Sequence, residues 1–347
     1  MNYNVSPEEF LADFKKNQVC CLDSREIVYI DMLHWINMRK AVIENTNFAY
    51  SETYIEIYNI LFSLVNNRVI VCPNSYIINS ELEKQDDFNS LMSTCRLIDN
   101  LSCNISFNFK LIMGSELIQL SNTCDLIKNG YDYRFCPIVC SDMDFFINDI
   151  LSILKQKNDS NYKINRELIT FLNMSTSGYF IYKRKYCATK IKHNTGLFAE
   201  ILQQSKTTTI NFNDALVLNS KSVIKSLVEI YSSIKEVKES TFNGALEANQ
   251  STIRNFSKAI FYVSQILTIK QLNIQENALK NKRENDFYDL YHSSIALAYS
   301  NYFFTEKSFH HLLTNKPFEN IGNCIVESNP SMILLRLQEL QNQRSNY

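Results

Sequence analysis

The chain has 347 residues, a formal net charge of −1 and 45% hydrophobic residues: enough apolar side chain for a sizeable core, and no global positive field for indiscriminate nucleic-acid binding. Gly and Pro number 6 and 5, about 3% of the chain against a usual share of about 12%, which disfavours the turn-rich all-β sandwiches and propellers and favours helices joined by Asn- and Ser-rich turns. No apolar run approaches the ~20 residues of a membrane span.

In chain order, Ser6-Pro7-Glu8-Glu9 reads as a capping box with Pro at the first helical position, predicting a helix from Pro7 to about Lys16. The stretch Met1 to Asn17 is acidic and amphipathic with no apolar leader region, so a cytoplasmic protein is expected. The ten Cys are then expected to be mostly small buried apolar residues. Glu26 to Ile30 is apolar without alternation, as in a strand of a parallel sheet buried on both faces. Ser51 caps an expected helix through Leu64, and Arg68 to Cys72 is a second short strand. Helices over Tyr76–Lys84 and Phe88–Leu101 follow, then a third strand, Ile105 to Phe109. This alternation predicts an α/β sheet.

From about Gly114 to Lys282 the spacing turns helical, most clearly over Met143–Leu154, Arg166–Met174, Ala215–Val237 and Thr252–Leu267. The α/β pattern then returns: a helix over Asp286–Tyr299, a strand over Tyr302–Thr305, a helix over Glu306–Leu313, a strand over Cys324–Val326 and a helix over Met332–Gln341. One discontinuous α/β domain with a helical insertion is expected. Apolar surface left over on the insertion's helices would serve self-association, as a homodimer, or a protein partner.

Four carboxylates fall where α/β sheets build their sites, beyond the carboxyl ends of strands. Asp31 ends the first strand, Glu81 lies on the helix after the second, Asp289 on the helix before Tyr302–Thr305, and Glu306 directly after that strand. Asp286 lies one turn before Asp289, and Glu83 is an alternative to Glu81. Carboxylates that converge repel one another unless divalent cations neutralise them, and oxygen ligands suit Mg²⁺ or Mn²⁺. Two such ions can activate a water and stabilise the leaving oxygen of a phosphodiester. The competing reading of each is a helix cap or a solvated acid.

The segment VYIDMLHW (28–35) resembles the opening of the PIN-domain nucleases, a hydrophobic strand ending in Asp and followed by a helix. PNSYIINSELEK (73–84) resembles their second acidic motif, and NDFYDLYHSSIALAYSNYFFTEKSF (285–309) their pattern of Asp, apolar helix, polar-aromatic strand, Thr and acidic residue. The resemblance implies a PIN-like α/β domain in two parts, 1–113 and 283–347, interrupted by a large all-helical insertion, 114–282. It implies metal binding and catalysis by Asp31, Glu81, Asp289 and Glu306, with Asp286 as an auxiliary ligand, Mg²⁺ or Mn²⁺ as cofactor, and endoribonuclease activity. Large stand-alone PIN-like proteins of bacteria often act as toxins or in defence against phage, so that setting is implied as well. Two departures stand out: many family members carry Asp where this chain has Asn301, and many carry Asp where it has Glu306. Loss of a carboxylate at 301 and the shortage of positive charge support the alternative, a catalytically weak scaffold that binds protein or RNA.

The dense basic run with interleaved aromatics is Tyr182-Lys183-Arg184-Lys185-Tyr186, a mixture suited to an RNA backbone and stacked bases, with a solvated surface as the plain alternative. His34 and His292 each follow a candidate ligand by one helical turn, and His292 is placed to orient Asp289 or to contact an RNA phosphate. Trp35 is expected in the core. Cys136 and Cys140 lack a second pair at zinc spacing, and no Gly-rich phosphate loop or Ser/His/Asp elbow is present.

Overall fold

The computed structural model describes residues 25–103, 105–107, 109–121, 138–140, 175–178, 180–181, 211–235, 242–276, 285–315 and 317–345. The side chains of 76, 109–111, 138–140, 233–235, 273–276, 285–289 and 344–345 lie outside that description, as do the expected helices Pro7–Lys16, Met143–Leu154 and Arg166–Met174.

Two sheets organise the described chain. The larger holds β1 (Glu26–Ile30), β2 (Ile70–Val71), β6 (Tyr302–Phe304) and β7 (Ile325–Glu327) in the order β2-β1-β6-β7, all parallel. Val28, Tyr29 and Ile30 are buried, as the unbroken apolar run of β1 requires of a strand covered on both faces. The smaller sheet runs β3 (Asn74–Ser75), β4 (Ile105–Phe107), β5 (Ile138–Cys140), with β3 parallel and β5 antiparallel to β4. The expected strand Arg68–Cys72 is cut to two residues and the chain changes sheet at Cys72-Pro73. Pro has no N–H for a ladder, and the Cys72 N–H donates instead to the Leu101 carbonyl at 3.1 Å.

Helices cover the strands: α1 (Met32–Val42), α2 (Ser51–Asn66), α3 (Tyr76–Leu82), α4 (Phe88–Ser102), α5 (Phe109–Ser121), α6 (Phe212–Lys235), α7 (Asn243–Glu247), α8 (Gln250–Phe256), α9 (Lys258–Glu276), α10 (Asn285–Tyr299), α11 (Lys307–Thr314) and α12 (Pro330–Ser345). Asp31, Ser75 and Asp87 cap α1, α3 and α4 with their side chains. Ser51 is the first residue of α2 rather than its cap; left-handed Tyr50 precedes it. Trp35 is fully buried, as expected.

The stretch expected to be wholly helical departs from that pattern twice. It contains β5, a short apolar run of the kind that periodicity cannot assign to helix or strand. Thr252–Leu267, expected as one helix, breaks at Ser257, whose extended φ of −144° separates α8 from α9. The break has a distant cause: the Glu116 carboxylate on α5 accepts from the Ala259 and Ile260 N–H groups, each at 2.9 Å, and caps α9 from across the fold. The described middle helices share one continuous core with the sheet: Val223, Leu227, Ile260 and Val263 cluster with Trp35, Ile70 and Phe303. Among the described residues no helix is long and apolar enough to cross a membrane.

Candidate functional site

The larger sheet reverses its strand order between β1 and β6: the chain leaves β1 for β2 on one side and returns later to β6 on the other. A crevice forms beyond the carboxyl ends of strands at such a reversal. Asp31 and the pair Thr305-Glu306 lie there, directly after β1 and β6.

Asp31 is held from both strands. Its N–H donates to the Phe304 carbonyl at 2.9 Å, Oδ2 accepts from the Thr305 hydroxyl at 3.0 Å, and Oδ1 accepts from the Leu33 N–H at 3.4 Å. Thr305 is satisfied at every polar atom, since its N–H also donates to the Glu327 carbonyl at 2.9 Å and its carbonyl accepts from His34 Nε2 at 2.9 Å. His34 Nδ1 lies 2.9 Å from the Tyr54 hydroxyl. Burial holds the His34 imidazole below its ordinary pKa, against the Thr305 carbonyl and the Asp31 charge, so the ring is a neutral tie between α1 and the end of β6. Glu306 is the N-cap residue of α11, and its carboxylate accepts from the Ser308 hydroxyl.

Glu81 lies in the last turn of α3, its side chain 18% exposed, with Oε2 facing His292 Nε2 at 3.6 Å. Oε2 is itself buried and takes part in no hydrogen bond among the described residues. His292, on α10, is 2% exposed, and its Nδ1 bonds the Tyr29 hydroxyl, which lies 2.7 Å from Ser75 Oγ. His292 therefore stands behind Glu81 and offers no surface on which RNA can lie. Glu83, the alternative to Glu81, closes α3 as its C-cap.

Asp289 and Asp286 fall on α10, one and two turns before His292, and their side chains lie outside the described residues. Asp31 and Glu306 thus follow the neighbouring strands β1 and β6 directly, while Glu81 is joined to β1 through His292 and Tyr29. Among the described residues no three His, Cys, Asp or Glu side chains converge closely enough to hold an ion. Lys183, Arg184, Lys185 and Cys136 lie outside the description. Of the described cysteines, Cys72, Cys95 and Cys324 are buried, as expected, and Cys103 is exposed.

Asn301 corrects a sequence expectation. It precedes β6, at the amino end of the sheet, four positions and about 13 Å of extended chain from Thr305. Its Oδ1 accepts from the Ile27 N–H at 2.8 Å and its own N–H donates to the Ile27 carbonyl at 2.9 Å. An Asp there would stand at the wrong edge to support Asp31. Of three residues that sequence reasoning left without a role, Thr305 bonds Asp31, and Tyr29 and Ser75 bond in series to the His292 that faces Glu81. Their signal is weak in one dimension: a Thr before the acidic residue, a hydroxyl in an otherwise apolar strand, and a Ser at a helix start. No family model matches the chain, and neither a curated protein nor a solved structure does.

Proposed function

We propose that the chain is a divalent-cation-dependent endoribonuclease of the PIN-like kind, acting in the cytoplasm on a structured RNA such as tRNA, in the toxin or anti-phage setting that its resemblance implies. One observation carries the reading. At the carboxyl edge of a parallel sheet, beside its strand-order reversal, Asp31 is fixed by Thr305, while Glu81, tied to β1 through His292 and Tyr29, keeps a buried oxygen that makes no hydrogen bond among the described residues. A buried carboxylate oxygen without a hydrogen bond is costly, the facing His292 N–H at 3.6 Å offsets that cost only in part, and a cation would complete it. Hard oxygen donors of this kind fit Mg²⁺ or Mn²⁺.

Asp31, Glu81, Asp289 and Glu306 would hold the ion, with Asp286 as auxiliary. A bound divalent ion supplies charge neutralisation and an acidified water for attack on a phosphodiester. The protein's part is preorganisation. Thr305 and the Leu33 N–H restrict the Asp31 carboxylate, and His34 fixes Thr305 in turn. Asn301, the departure that favoured a non-catalytic scaffold, serves the opposite edge of the sheet and takes nothing from this set. The net charge of −1 supports a selective enzyme over a general RNA degrader. Binding would come from the basic run at Lys183, Arg184 and Lys185 and from a homodimer or protein partner engaged through the middle helices.

The test is to incubate the purified chain with total RNA and Mn²⁺ beside an Asp31→Asn control and sequence the new ends. Discrete ends at a few positions of structured RNA, absent from the control, are expected. Ends shared by both proteins would reject the reading.

A further inference from the structure

We infer that His292 is a positioning residue, the last member of a hydrogen-bonded relay that begins at the cap of α3 and holds Glu81 in its orientation. The inference rests on the metal-dependent reading above and concerns a residue that the reading does not need.

The relay has one direction. The Ile78 N–H, a fixed backbone donor, bonds Ser75 Oγ at 3.1 Å. Ser75 Oγ lies 2.7 Å from the Tyr29 hydroxyl, and that hydroxyl bonds His292 Nδ1. His292 Nε2 faces Glu81 Oε2 at 3.6 Å. An ionised carboxylate only accepts, so the ring proton belongs on Nε2 and Nδ1 accepts from Tyr29. Tyr29 then accepts from Ser75, and every proton from the α3 cap onward points toward Glu81. Tyr29, Ser75 and His292 are each at most 2% exposed, so water does not compete for these bonds.

The relay also closes a ring. Ser75 starts α3 and Glu81 lies in its last turn. The ring therefore joins β1, which Asp31 directly follows, to α3 and α10, which carry Glu81 and Asp289. At 3.6 Å the final contact exceeds hydrogen-bond length. It restrains the carboxylate electrostatically and leaves Oε2 without a hydrogen bond. Groups behind a ligand that fix its orientation typically change metal affinity 10–100-fold when removed.

The experiment is calorimetric titration of Mn²⁺ into the full chain, with thermal melts as a check on folding. His292→Asn, whose amide is too short to reach Glu81, should weaken Mn²⁺ about tenfold or more. His292→Gln, whose amide nitrogen reaches the Nε2 position although Tyr29 loses its acceptor, should lose clearly less than His292→Asn, no more than severalfold. Added to Glu81→Gln, His292→Asn should cost less than about a further twofold, because its effect runs through Glu81. Equal losses in the Asn and Gln variants, or losses that multiply in the double variant, overturn the proposal. If His292→Asn does not fold, Tyr29→Phe replaces it: a severalfold loss is expected, and unchanged affinity overturns the relay. Wild-type binding that Asp31→Asn abolishes and His292→Asn leaves intact overturns the positioning role alone. A wild-type chain that binds no Mn²⁺ overturns the metal reading and this inference together.

Discussion

Glu116 shows how much one buried carboxylate organises. It is 1% exposed and accepts from the Ala259 and Ile260 N–H groups and from the Tyr299 hydroxyl. Burial nevertheless outweighs those donors and pushes its pKa from 4.5 to about 7. A folded value above the unfolded one means stability that is fully present below about pH 4.5 and lost as pH rises through about 7, of order 3 kcal/mol. His34 acts in the opposite sense: its folded form resists the proton, so stability falls as pH drops below about 6.5. Glu116→Gln should remove the first slope and leave the second, read as urea midpoints at each pH from 4.5 to 8 beside wild type; an unchanged difference across that range would assign the proton elsewhere. Asn301→Ala should cost about 1 kcal/mol, because the Ile27 N–H loses its side-chain acceptor. Mn²⁺ affinity should not move in that variant, and a drop would mean that position 301 communicates with the carboxyl edge after all.

The elements that sequence reasoning located well are those whose causes are local. The apolar run ending at Asp31 gives β1, the Ser75 and Asp87 caps start α3 and α4, and Asp31 and Glu306 stand at the strand ends where their spacing puts them. What stayed hidden has causes far away in sequence. The break at Ser257 depends on a carboxylate more than 140 positions earlier, and β5 exists because β4 offers an edge to three apolar residues. The amino-end place of Asn301 depends on parallel pairing with Ile27. Position 114, the expected start of the helical insertion, lies inside α5, where a Cβ would overlap the Tyr231 ring of α6. Gly114→Ala should therefore destabilise by about 1–3 kcal/mol through overpacking. For a chain of this size that is a few degrees of melting temperature. A neutral result would mean that α5 and α6 separate freely.

At the scale of the molecule, one core runs from the sheet to α6 and α9, and among the described elements α9 packs on α5, α6 and α10. Such a frame leaves RNA affinity to be supplied by other parts of the chain. Neutralising Lys183, Arg184 and Lys185 together should weaken RNA binding and flatten its salt dependence by up to about three phosphate contacts. An unaltered salt slope would make that run a solvated surface. The central claim is that Asp31 and Glu81 work as a cation-dependent centre for phosphodiester cleavage. The measurement that bears on it most directly is the cleavage rate of one folded tRNA transcript, with Mn²⁺ and with chelator, by wild type, Asp31→Asn and Glu81→Gln of equal thermal stability. The account predicts a rate that requires Mn²⁺ and falls at least a hundredfold in both variants, about 2.7 kcal/mol of transition-state stabilisation each. Cleavage that persists in chelator, or that survives in both variants, would contradict it.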